Sequence, residues 1–175
     1  EWGEAEEWCT RAPALIVDQQ DEHIACYTSQ ALAKIWLRQG KVDQARGPLD
    51  RSLITCKRLH DRLGTALVQR TIGELHLAAG HLDDAARALG LAYDGWQALG
   101  HDLGRARTLR DTGMVRAAAG DLPGAHTAWA DALAVFTRLG TREAAEAPGW
   151  HRACGPDCGS VFGSPAGGPL AVSAA

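Results

Sequence analysis

Metal chemistry needs imidazole, thiolate or carboxylate groups gathered at short spacing. Only one stretch of this 175-residue chain clusters them that way, His151, Cys154 and Cys158. Zinc in a closed site takes four ligands, and this run offers three. An enzyme or zinc protein working through these cysteines is therefore a remote alternative. His76, His81 and His101 lie near predicted helix ends or on helix faces and read as surface or interface residues. Asp83 and Asp84 fall in the first turn of a predicted helix, where the helix dipole favours negative charge without any catalytic role. No P-loop, G-x-S-x-G, H-E-x-x-H or G-x-G-x-x-G pattern occurs. The expectation is a chain with no catalytic residues, no bound metal and no cofactor.

Five cysteines is an odd number, and they are scattered. Cys9, Cys26 and Cys56 fall at apolar helix positions and read as small core residues of a protein in a reducing compartment, the cytoplasm. The hydrophobic share is 46%, the charged share 22% and the formal net charge −3, a balance expected of a soluble globular domain. That charge gives no reason to expect nucleic acid or an anionic membrane as a partner. No apolar run approaches the ~18–20 residues a membrane span needs.

The elements that must position any site show themselves through a period. Gly40, Gly80 and Gly120 stand forty residues apart, and Ala45, Ala85 and Ala125 follow them at the same interval. Leu49, Leu89 and Trp129 keep the beat, as do Leu59, Leu99 and Leu139. Residues 61–100 and 101–140 agree at 14 of 40 positions, whereas 21–60 and 61–100 agree at 7, so the first full unit has drifted. A period of this length marks stacked units, none of which can bury its apolar face alone. Within each unit the apolar spacing predicts two helices: 22–39 and 42–59, 62–79 and 82–99, 102–119 and 122–139. Glycine ends the helices where a left-handed residue costs least, and loops of two or three residues make neighbours antiparallel. Small residues at Gly73, Gly113, Ala85 and Ala125 permit close helix crossings. Trp96 and Phe136 share a column and read as core.

Both ends are ragged. Ala5 and Cys9 fall forty residues before Ala45 and Leu49, so 1–20 reads as a partial unit and 2–18 as its second helix, interrupted at Pro13. A start in mid-repeat, without methionine, is expected of a piece of a longer chain. At the other end, 141–147 reads as a short cap stopped by Pro148-Gly149, and 148–175 as a flexible tail with six glycines and four prolines. So short a cap predicts that part of the Trp129, Leu133 and Phe136 face stays exposed, a surface for self-association or for a neighbouring domain.

The small-residue columns resemble the tetratricopeptide repeat (TPR). They are carried here by Gly113, Gly120, Ala125, Trp129 and Ala132, by Gly73, Gly80, Ala85, Leu89 and Ala92, and by Ala33, Gly40, Ala45, Leu49 and Ser52. The partial unit contributes Ala5, Cys9 and Ala12. The period departs from the usual ~34 residues, and Trp36, His76 and Arg116 stand where that family commonly has tyrosine. The forty-residue form, with Leu99-Gly100 and Leu139-Gly140 closing its helices, is similar to the C-terminal repeats of bacterial SARP and NB-ARC (STAND) regulators. The resemblance implies an all-α, antiparallel helix-hairpin, TPR-like superhelical array of about three and a half repeats over residues 1–147.

The resemblance further implies that the first helix of each unit lines a concave groove. Its polar members would be Tyr27, Gln30, Lys34, Arg38, Arg70, Glu74, Arg107 and Arg110. Five cations then oppose one carboxylate. Such a groove suits an acidic protein or peptide, since arginine offers two-point contacts to carboxylates. Asparagine is absent from the chain, which argues against the lysine-and-asparagine clamp that other members use for chaperone tails. The expected function is a non-catalytic, regulatory protein-interaction scaffold within a larger bacterial regulator. The alternative is the ligand-sensing region of such a transcriptional regulator.

Overall fold

The computed structural model describes residues 19–147 and, outside that span, Glu4, Glu7 and Trp150. The described chain is all-α, with no strand. Six helices run in order: α1 (Gln19–Arg38), α2 (Val42–Arg58), α3 (Arg62–Ala78), α4 (Leu82–Ala98), α5 (Asp102–Ala118) and α6 (Leu122–Leu139). A 3-10 helix, Arg142–Glu146, follows. They form three antiparallel hairpins, α1/α2, α3/α4 and α5/α6, stacked in sequence. Helix α1 touches α3, and α3 touches α5. The first helices of the hairpins thus form one continuous face, and the array is a superhelical stack of helix hairpins. None of the described helices is long and apolar enough to cross a membrane.

The periodic columns set the crossings. Ala45, Ala85 and Ala125 are fully buried. Leu49, Leu89 and Trp129 each fill the space beside them, at 1% exposure. Gly113 faces the Trp129 indole so closely that a Cβ there would overlap the ring, and a Cβ on Gly73 would come within 2.6 Å of Leu89. Trp129 Nε1 donates to the Arg110 carbonyl at 3.1 Å, so the indole lies across α5 at the point where α5 lacks a side chain. Gly40, Gly80, Gly100, Gly120 and Gly140 all have positive φ, as the helix-end reading expects, while His60 takes φ 55° in the same role. Three helices, α3, α5 and α6, start on side-chain caps: the Gly64, Gly104 and Gly124 amides donate to Asp61 Oδ1, His101 Nδ1 and Asp121 Oδ1. Pro48 lies inside α2, which continues through it.

The C-terminal face departs from expectation. Trp129 and Phe136 are buried, and Ala147 and Trp150 belong to the same apolar cluster. Trp150 meets Phe136 edge-on with ring centroids 6.0 Å apart. Pro148 therefore does not end the covering segment, and the tail reading fails at Trp150, which is helical and 5% exposed. Trp129 and Phe136 therefore offer no exposed surface for self-association, and Leu133 of the same face is partly buried against this cluster. The partial unit expected at 1–20, with its break at Pro13, and the remaining tail with His151, Cys154 and Cys158 lie outside the described residues, Glu4, Glu7 and the start of α1 aside.

Candidate groove site

Helices α1, α3 and α5 and the 3-10 helix enclose a cavity of about 660 Å³. Gln30, Lys34 and Arg38 come from α1, Leu67 and Arg70 from α3, Arg107 and Arg110 from α5, and Arg142 and Glu143 from the 3-10 helix. Six of the eight groove residues named from the sequence line this space. Glu74 stands at its edge as the partner of Lys34 and Arg70. Tyr27 does not line it: its hydroxyl donates to Asp61 Oδ2 at 2.9 Å. Burial first, then the bond to the Asp61 carboxylate, raises the Tyr27 pKa, so the phenol stays protonated.

The cations are joined across the repeats by a ladder of carboxylates. Lys34 Nζ lies 3.3 Å from Glu74 Oε1. Arg70 Nη2 donates to the same oxygen at 2.9 Å, and its Nε lies 3.0 Å from Asp111 Oδ2. That last contact is an ion pair whose geometry falls short of a hydrogen bond, for Asp111 Oδ2 is buried without one. Arg110 Nη2 donates to Asp111 Oδ1 at 2.8 Å. Arg107 Nε donates to Glu143 Oε1 at 2.7 Å. The Gln30 amide donates to Thr71 Oγ1 at 2.6 Å and takes no part in the charge ladder.

Burial and the neighbouring charges compete at each member of this ladder, and the winner differs from group to group. Burial opposes the Arg70 charge, but Asp111 and Glu74 outweigh it and hold its pKa above the ordinary arginine value. Burial likewise opposes ionised Glu74, and Arg70 and Lys34 together bring its pKa below the usual range. Burial lowers the Lys34 pKa, with Arg70 adding to the effect and Glu74 opposing it. At Asp111 burial prevails over both arginines and the pKa rises.

The sequence reading missed Leu67, Asp111, Arg142 and Glu143. Six cations face three carboxylates here, rather than five facing one, so the groove is less basic than expected. Arg70 changes role most: with its side chain 5% exposed it is an inter-repeat strut. Lys34, Arg38, Arg107, Arg110 and Arg142 keep exposure to the cavity. What brings Asp111 into the site is the register between neighbouring units, seen once the helices stand side by side. Gln30 to Thr71 and Arg70 to Asp111 each span 41 residues, so the same pair of columns meets at both junctions.

The fold and site define a helix-hairpin repeat protein with a cationic concave face. No protein-family model matches the chain, and no curated protein matches it in sequence. Among solved structures, the crystal structure of BtubC (BKLC) from P. vanneervenii is similar, with a TM-score of 0.68 at 18% sequence identity. The match covers 86% of this chain and 61% of that one, so the chain spans less than two thirds of BtubC. At this identity the likeness speaks to the fold.

Proposed function

We propose that the array is a non-catalytic, TPR-like interaction module that receives an acidic protein or peptide segment in its concave groove. The observation that carries this reading is the excess of cations around the 660 Å³ cavity. Arg70 and Lys34 are largely held by Glu74 and Asp111. Arg38, Arg107, Arg110 and Arg142 stand around the opening from three elements; Arg107 and Arg110 are paired with Glu143 and Asp111, and all four keep solvent exposure from which a guanidinium can meet an arriving carboxylate. In this reading the repeats serve a larger bacterial regulator of the SARP or STAND kind, on the resemblance of their forty-residue columns, and work in the cytoplasm. Cys26 and Cys56 are free and buried, which suits a reducing compartment.

A second reading takes support from the size of the cavity. It falls within the ~300–1,000 Å³ of small-molecule sites, so a compact polyanion would serve as the sensed ligand. One experiment separates the two. Fluorescence anisotropy of a labelled glutamate-rich peptide should show salt-sensitive binding, and Arg38→Glu with Arg110→Glu should weaken it at least ~10-fold, in line with loss of two charge-assisted contacts. Competition by a small tricarboxylate with no peptide binding would favour the ligand reading. Peptide binding unchanged in the double variant would sink the groove as the site.

A further inference from the structure

At the turn of the middle hairpin, three side chains converge that have no part in the groove. Helix α3 ends at Ala78, Gly80 turns the chain with φ +76°, and the His81 amide donates to the His76 carbonyl at 2.9 Å. This closure brings residues five apart in sequence together. Asp84 follows one turn into α4. One ligand atom from each of His76, His81 and Asp84 lies within 4.8 Å of the others, and no other such group occurs among the described residues. We propose that His76, His81 and Asp84 form a site for a divalent zinc-class ion, with water as the fourth ligand.

The chemistry and the mobility both suit it. Two imidazoles and a carboxylate are a ligand set zinc accepts, and an open zinc site takes three protein ligands and a water. Ligands at ~2.0–2.1 Å in a tetrahedron stand about 3.4 Å apart. The three side chains must close by about 1 Å, which the exposed His81 and half-exposed Asp84 allow by small rotations.

Two observations beyond proximity point to a ligand. His76 Nδ1 is enclosed and has no hydrogen-bond partner, which costs free energy unless something fills it. His81 stands at the N-cap of α4 yet makes no capping bond with its side chain. The comparable histidine at the start of α5, His101, spends its Nδ1 on the Gly104 amide at 2.9 Å. The corresponding columns of the other units hold Trp36, Lys41 and Gln44, and Arg116, Asp121 and Gly124. Neither set could bind a metal, so the triad belongs to one hairpin alone. Arg87 pairs with Asp84, but that pair is exposed and weak, and an ion can displace it. Arg46 and Asp50 of α2 act on His76 with opposite signs.

Titration of the full chain with Co²⁺ tests the site, followed by displacement with Zn²⁺. The expected result is one ion per chain, with visible absorption of a four-coordinate nitrogen and oxygen set and no thiolate charge-transfer band. His81→Ala with Asp84→Asn should weaken binding by at least roughly tenfold, since even outer-shell losses at zinc sites cost about 10–100-fold. Both positions are on the surface, and unchanged far-ultraviolet circular dichroism would show the fold intact. Wild-type affinity in that double variant would overturn the proposal. So would a thiolate band abolished by Cys154→Ser and Cys158→Ser, which would place the metal on the tail.

Discussion

The two junctions between repeats use the same columns for different chemistry. At the first, Gln30 of α1 reaches Thr71 of α3 through an uncharged hydrogen bond. At the second, Arg70 of α3 reaches Asp111 of α5 through a buried ion pair. The backbone stacking is common to both, because the Ala and Gly columns fix how closely the helices approach. The side chains on that shared frame are free to differ. The hairpins also differ in their internal fit, with Trp129 against Gly113 in the third and Leu89 against Gly73 in the second, where the first has Leu49 beside Ala33. A third difference lies in the clamps between the two helices of a hairpin. Glu22 pairs with Arg58 and Asp102 with Arg138, in matching columns, whereas the middle hairpin has Arg62 and Ala98 there. The middle hairpin lacks that clamp, and its charged links run instead to its neighbours, Glu74 to Lys34 and Arg70 to Asp111. On the groove side, charge does two jobs, joining units where it is buried and facing the cavity where it is not.

The sharpest way to break the comparison is to neutralise each junction in turn. Arg70→Met leaves Asp111 buried with Arg110 alone and Glu74 with Lys34 alone. Removing one partner of a buried pair costs about 3–5 kcal/mol, and the residual partners place the expected loss near the lower end. Gln30→Met removes a neutral bond whose net contribution is about 0.5–1.5 kcal/mol. Urea denaturation of both variants measures the difference. Equal losses would show that the buried ion pair adds nothing beyond the neutral bond in the same place.

The steric contrast predicts a smaller separation. In Gly113→Ala the new methyl meets the Trp129 indole, a rigid ring already tied to the Arg110 carbonyl. In Gly73→Ala it meets Leu89 at Cγ and Cδ2, an aliphatic side chain that gives way more easily than the ring. Overpacking costs about 1–3 kcal/mol, partly offset in both variants by the ~1 kcal/mol gain of alanine over glycine in a helix. The expectation is a clear loss of thermal stability for Gly113→Ala and a near-neutral result for Gly73→Ala. The reverse order would mean that the indole moves more easily than the leucine.

Steric requirements repeat from unit to unit, so they were legible in the sequence. Gly80 and Ala85 recur as Gly120 and Ala125 because every unit makes the same turn and the same crossing, and six helices followed from that. Pairing between units was not legible, because it depends on a 41-residue register visible only once helices stand side by side. Arg70 read as a groove cation because its column faces the groove. Only the position of Asp111 turns it inward. Trp150 was missed for a local reason. Pro148-Gly149 is a strong helix stop, yet an indole two residues on from it lies against Phe136 and closes the stack. Six of the eight groove residues line the cavity, on the face that the TPR resemblance implied.

The smallest expected effect concerns the drift of the first unit. Gly100 and Gly140 end their hairpins at φ +63°, and His60 does the same work at φ 55° with a Cβ in the way. A left-handed conformation costs a residue with a side chain roughly 1–2 kcal/mol, while glycine gives part of that back through its larger unfolded-state entropy. His60→Gly should therefore raise stability by about 0.5–1 kcal/mol, read as a Tm increase of a few degrees. Among the described residues the imidazole has no hydrogen-bond partner that the substitution would sacrifice, and the backbone bond from the His60 amide to the Lys57 carbonyl at 3.1 Å remains available to glycine. A lowered Tm would mean that the histidine holds the α2–α3 connection through contacts that outweigh its backbone strain, and that the first unit diverged by selection on that turn.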